Sequence, residues 1–236
     1  MFDNGNGYSN GNGNGHKPGW WSALWNRPDP AEESMAAYRR LALQLHHDLS
    51  RANSPRSALL VTPATSNLCA RGTVAVSSCF AEQVRRPVLL IDVCPKHPEA
   101  TRLLLSDGKP GYAEFLEDPT ISLEDLILPT NCNNVSFLPA GSDALRTNPT
   151  SSDNIRALLE AAEARYDYVL LSGGSVLHDP TIFALAPYVG CVLLLVIENQ
   201  TMMEDLEAAR EVLEFCKVRK VGLLFTTPVA QERRSV

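Results

Sequence analysis

Residues 62–73, Thr-Pro-Ala-Thr-Ser-Asn-Leu-Cys-Ala-Arg-Gly-Thr, lie between an apolar run at 57–61 and a helix-like run at 73–84. A strand–loop–helix junction of this kind is suited to phosphate chemistry, because the amides at a helix N-terminus point at a bound anion. The working form of such a loop is G-x-x-x-x-G-K-[ST]. Its glycines let the backbone close round the phosphates, its lysine neutralises the β/γ oxygens, and its hydroxyl holds Mg²⁺. Here the loop carries one glycine, Gly72, no lysine, and a bulky arginine, Arg71. Downstream, the apolar run 88–91 ends in Asp92 and the run 168–171 ends in Ser172. The frame for phosphate binding is kept, and the groups that would use it are not.

Other polar residues near these strand ends invite weaker readings. A strand-end aspartate such as Asp92 commonly caps the following turn, and that reading is preferred to residual metal binding. Asp179 is read as an N-cap for a helix starting at Pro180. Cys94, His97 and His178 suggest a metal, but one cysteine and two histidines on separate loops do not establish a site. His46 and His47 fall on a helix without ligands at metal spacing and are read as surface histidines. Ser172 and Ser175 flank two glycines without the G-x-S-x-G arrangement, which gives no support to nucleophilic catalysis.

The elements that must position these residues alternate along the chain. Strand-like runs occupy 58–61, 88–91, 135–138, 168–171, 189–197 and 221–225, and helix-like runs occupy 31–49, 73–84, 98–105, 155–165, 180–186 and 203–216. Near-continuous Val/Leu/Ile strands imply burial on both faces, hence an α/β, doubly wound, mostly parallel sheet with helices on each side. With 236 residues, 44% of them hydrophobic, the chain can bury a full core. A single domain is expected over 31–236, preceded by an Asn/Gly-rich leader over 1–30 that is too polar to fold alone. The leader ends in Gly19-Trp20-Trp21-Ser22-Ala23-Leu24-Trp25, where Trp20, Trp21, Leu24 and Trp25 would share one helical face. Two readings stay open: docking on the chain's own domain, or anchoring to a partner or membrane surface.

A net charge of −6 and a pI near 5.4 argue against a nucleic-acid partner. No signal peptide is expected, and the longest apolar run, 189–197, has strand length. The six cysteines, at 69, 79, 94, 132, 191 and 216, lack C-x-x-C spacing and read as reduced thiols in a cytoplasmic protein.

From residue 38 to about 225 the chain resembles the cytoplasmic ATPase domain of the bacterial tyrosine kinases, the BY-kinases. These are MinD/ParA-like P-loop proteins that work with membrane co-polymerases controlling polysaccharide chain length. The residues that carry the likeness are Ala37-Tyr38-Arg39-Arg40-Leu41, Leu89-Leu90-Ile91-Asp92, Gly111-Tyr112-Ala113-Glu114-Phe115-Leu116, Leu138-Pro139-Ala140-Gly141, Asn148-Pro149 and Tyr166-Asp167-Tyr168-Val169. Laid on the family pattern without a gap, Ala70 falls on the lysine and Arg71 on the Mg²⁺-binding hydroxyl, just ahead of Gly72 and Thr73. Asn67 and Cys69 fall on the two glycines, Cys94 on the second acidic position, and Ser172 on the strand-end aspartate. Mg²⁺ needs hard, charged oxygen ligands, so these replacements leave little to hold it. Arg39 retains one charge of the helix through which family members form rings, while Ala36 and Ala42 replace the other two. The C-terminal tyrosine cluster has no counterpart after Tyr188.

The resemblance implies a catalytically degenerate BY-kinase-like protein, an accessory of exopolysaccharide or capsule synthesis and export that acts by protein binding. No cofactor and no metal are expected. The partner implied is a membrane polysaccharide co-polymerase, or chain-length determinant, that would recruit the protein to the inner face of the membrane. Trp20, Trp21, Trp25 and Arg39 are the candidate interface residues, with homo-oligomerisation left open. One alternative is an active ATP- and Mg-dependent tyrosine kinase in which Arg71 replaces the lysine; another is a MinD/ParA-like positioning protein.

Overall fold

A computed structural model describes residues 30–51, 58–64, 70–142 and 151–226. Trp20, Trp21, Trp25, Asn67 and Cys69 lie outside the described residues. By its contacts the chain divides into two units, Met1–Ser34 and Met35–Val236, and every strand belongs to the second.

The strands are β1 (Ala58–Pro63), β2 (Val88–Asp92), β3 (Leu128–Pro129), β4 (Val135–Leu138), β5 (Tyr168–Ser172), β6 (Cys191–Ile197) and β7 (Val221–Thr226). They form one sheet in the order β3-β4-β2-β5-β1-β6-β7. All neighbouring strands run parallel except β3, which pairs antiparallel with β4. β3 has only two residues and carried no periodic signal in the sequence. The expected mostly parallel sheet is what forms.

Both faces are covered, as the continuous apolar strands require. Along β2, Leu89 and Ile91 join one core cluster, and Val88 and Leu90 join the other. The first cluster is closed by α6 (Ser152–Glu163), α7 (Thr181–Leu185) and α8 (Met203–Phe215), through Ile155, Leu158, Ile182 and Leu213. The second is closed by α1 (Pro30–Arg51) and α2 (Ala70–Val84), through Ala42, Leu45, Val76 and Phe80. Three short helices, α3 (Glu99–Leu103), α4 (Tyr112–Glu117) and α5 (Leu123–Leu126), connect β2 to β3. The periodicity predicts no helix at 112–117 or 123–126, because elements this short show too few turns for a helical period.

The start of α2 differs from expectation. The periodic pattern places it at Thr73, but the helix begins at Ala70. Glycine and threonine are poor helix formers, so the first turn reads as loop. Packing reverses that preference: Ala70, Gly72 and Thr73 are all buried. A Cβ on Gly72 would meet Leu195 Cδ1 of β6 at 3.4 Å, an ordinary packing distance, so this turn of the helix lies against the sheet. Among the described residues, no helix is long and apolar enough to cross a membrane.

Candidate functional site

The C-terminal ends of β1, β5 and β2 meet at one edge of the sheet, the edge at which ligands bind in open α/β folds. Asp92 and Ser172 are register partners. The Val93 amide donates to the Ser172 carbonyl at 3.1 Å, and the Gly173 amide donates to Val61 at 2.9 Å. With Ala70 at the start of α2, they line a small cleft together with Cys94, His97 and Gly173. The cleft offers about 10 Å³, enough for roughly one water molecule. Ala70, Asp92, Cys94 and Ser172, distant from one another in sequence, are therefore neighbours.

Asp92 is 1% exposed, and its carboxylate is engaged on both oxygens. Oδ1 accepts from the Cys94 amide at 3.2 Å. Oδ2 accepts from both the amide and the hydroxyl of Thr101, each at 2.9 Å. The Thr101 hydroxyl in turn accepts from the Ala140 amide at 2.9 Å, tying the Leu-Pro-Ala-Gly segment to the same point. Burial pushes the Asp92 carboxyl up to about 6, against the opposing pull of the Thr101 and Cys94 hydrogen bonds. Asp92 thus fixes the turn that leads into α3.

Cys94, which lines the cleft, is paired with Asp179. The Cys94 thiol donates to Asp179 Oδ2 at 3.5 Å, and burial together with the Asp179 charge pushes it up to about 12. Held as a neutral thiol, it is a poor nucleophile. Asp179 Oδ1 accepts the Thr181 amide at 2.9 Å, an Asx-type turn just ahead of α7. The N-cap is Pro180 and not Asp179, because the helix begins at Thr181, one residue later than the sequence pattern places it. Gly174 makes room for that carboxylate, since a Cβ there would lie 2.3 Å from Asp179 Oδ2. The Gly174 carbonyl accepts from the Thr62 hydroxyl.

Ser175 is arranged against nucleophilic use. Its hydroxyl donates to the Ala64 carbonyl at 2.7 Å, so His178 Nδ1, 2.9 Å away, must donate to it rather than accept from it. His178 and His97 are exposed. Among the described residues, no group of three or more His, Cys, Asp or Glu side chains could hold a metal.

Arg71 occupies the first turn of α2 with its side chain exposed, and it is not part of the cleft lining. Arg39 pairs with Glu82 of α2 at 3.6 Å, both side chains being about half exposed. A pair this exposed contributes about 0–1 kcal/mol. His46 departs from the surface reading. It is half-buried, and its Nδ1 lies 2.6 Å from the Tyr168 hydroxyl of β5. Tyr168 also packs edge-on against Phe80, with ring centroids 4.6 Å apart, so His46 helps seat α1 on the sheet. A single histidine on a helix gives no sequence sign of a tyrosine 122 residues away.

The motifs retained from the resemblance meet one another beside the cleft. The Tyr112 and Ala113 amides donate to the Pro139 and Ala140 carbonyls at 2.8 and 3.1 Å. Glu114 accepts from the Gly111 amide at 2.6 Å and from the Ser142 amide at 2.8 Å. Burial alone would raise its carboxyl, but the bonds from Ser142 and Gly111 prevail and hold it below the usual range. Sequence reasoning missed Thr101, the residue that joins this network to Asp92. A threonine within a five-residue helix has no distinguishing pattern.

No protein-family model matches the sequence, and no curated protein matches it. Solved structures do. The structure superposes on the kinase domain of the Escherichia coli tyrosine kinase ETK with a TM-score of 0.70, covering 86% of this chain and 78% of that one at 22% identity. The fold is that of a bacterial tyrosine-kinase domain. The BceF tyrosine kinase domain gives a TM-score of 0.68 at 22% identity, covering 83% of this chain and 78% of that one. The MinD cell division protein of Aquifex aeolicus shares the kinase-like fold at 15% identity and a TM-score of 0.56, over 72% of this chain and 68% of its own.

Proposed function

We propose that this chain is a catalytically degenerate BY-kinase-like protein, an accessory or regulator of exopolysaccharide or capsule synthesis and export that works by binding a partner. The observation that carries the reading is the state of Asp92. Its two oxygens accept three hydrogen bonds from Cys94 and Thr101, and the cleft beside it has room for about one water. Around it stand a methyl group, Ala70, a neutral thiol, Cys94, a hydroxyl, Ser172, and a second carboxylate, Glu99, whose negative charge would repel phosphate. Phosphoryl transfer depends on cations held against the phosphates, and among the described residues that line this cleft neither a lysine nor an arginine is present. The side chains present therefore do not suit Mg·ATP. The frame that positions them persists as a rigid surface. A membrane polysaccharide co-polymerase is the partner we assign, and a cytoplasmic protein recruited to the inner face of the membrane is the setting.

Calorimetric titration of the purified protein with ATP and with ADP, each with Mg²⁺, tests the reading. We expect no heat of binding and no hydrolysis. Micromolar binding that is lost on Asp92→Ala would replace it with the active-kinase reading, in which Arg71 swings to the phosphates.

A further inference from the structure

β7 closes one end of the sheet, and among the described residues no strand pairs with its outer edge. Natural proteins blunt such an edge with charges, proline, a bulge or a cover, because its free amides and carbonyls would otherwise template another strand. β7 reads Val-Gly-Leu-Leu-Phe-Thr, with none of those devices in its sequence. Its residues alternate. Leu224 is 8% exposed and joins the core on the α1/α2 face, whereas Val221, Leu223 and Phe225 are 40%, 52% and 70% exposed. These three stand beside Val192, Leu194 and Val196 of β6, on the face covered by α8. Among the described residues, an apolar strip therefore runs along an unpaired edge.

The charges at the two ends of this edge are opposite. Lys217 and Arg219, both exposed, precede β7 at its N-terminal end. Glu198 follows β6, and Glu204 opens α8, so two exposed carboxylates stand at the C-terminal end. Because β6 and β7 are parallel, the two pairs lie at opposite ends of the same edge.

We propose that β7 is a docking edge for a second copy of this chain. Two β7 strands would pair antiparallel about a twofold axis perpendicular to the sheet and continue it through both molecules. That axis keeps like faces together and so permits only pairings between residues of one face. Leu223 falls opposite its own counterpart, and Val221 opposite the second copy's Phe225. The two apolar strips then merge and are covered between the two α8 helices. The same operation brings Lys217 and Arg219 of each copy to the Glu198 and Glu204 end of the other, so the ion pairs form twice. A chain of net charge −6 needs such local compensation to meet itself. The inference is independent of whether the cleft binds nucleotide.

Sedimentation velocity of the full chain over a concentration series tests it. The wild-type chain forms a dimer. Leu223→Lys places two ammonium groups against each other on the axis and raises the dissociation constant by about tenfold or more, with the far-UV circular dichroism unchanged. Reversing Lys217 and Arg219 to glutamate weakens the dimer, and adding Glu198→Lys with Glu204→Lys restores it. The charge-reversal pair carries the test if Leu223→Lys fails to fold. A chain that stays monomeric at every concentration overturns the proposal. So does a dimer that tolerates Leu223→Lys, or one indifferent to the charge reversals.

Discussion

Asp92 concentrates the residue-scale question, because one carboxylate can serve either a metal or a turn. Here both oxygens are taken by Cys94 and Thr101, and the side chain is buried. Its carboxyl titrates at about 6, against an ordinary 3.8, with burial as the main cause and the nearby Glu99 adding to it. The folded protein therefore holds this proton more tightly than the unfolded chain does. The stability it contributes is complete below about pH 4 and is lost as pH rises through about 6. Asp92→Asn removes the titration. Chemical denaturation of both proteins at about pH 4 and about pH 7 should show the wild type losing about 2 kcal/mol relative to the variant across that interval. The asparagine forfeits one acceptor for the Thr101 donors at every pH, so the difference between pH values is the diagnostic quantity. Parallel profiles would mean that Asp92 ionises at its ordinary value.

At the scale of elements, the segments Gly-Tyr-Ala-Glu and Leu-Pro-Ala-Gly interlock, and their glycines explain why. A Cβ on Gly111 would lie 2.1 Å from the Pro139 carbonyl oxygen, so α4 can approach the end of β4 only without a side chain there. Gly141 has φ +103° and would place a Cβ 2.5 Å from Glu114 Oε2. Gly111→Ala should destabilise the fold by about 2–4 kcal/mol in urea, since backbone has to move to admit the methyl. Gly108 gives the contrast. Its φ is +71° but nothing lies within 4 Å of its Cβ position, so Gly108→Ala should cost only about 1 kcal/mol of backbone strain. Equal losses at the two positions would show that conformation, and not close approach, governs Gly111.

For the whole molecule, the proposed role depends on contacts with other chains. The leader joins Asn-Gly repeats to Trp20, Trp21 and Trp25, which lie outside the described residues. Aromatic residues dominate interface energetics, so a segment of this composition is suited to act as a tethered ligand. If the proposed membrane co-polymerase is the partner, replacing the three tryptophans with alanine should abolish co-purification with it while leaving the melting temperature unchanged. A marked drop in melting temperature would instead assign them to packing within the chain. Retained co-purification would remove the tether from the account.

Periodicity and strand composition were enough to specify the sheet class. Runs of Val, Leu and Ile that are apolar at every position can be satisfied only when both faces are covered, and β2 and β6 are buried along their whole length. The order of weak motifs was likewise legible, as was the placing of Asp92 and Ser172 at the ends of their strands. Which side chains answer one another was not. Asp92 meets Thr101, His46 meets Tyr168, and the first turn of α2 forms against its own propensity. Local sequence records preferences within a few residues. Hydrogen-bond partners and close approaches across the sheet are set by long-range packing, and only the folded chain decides them.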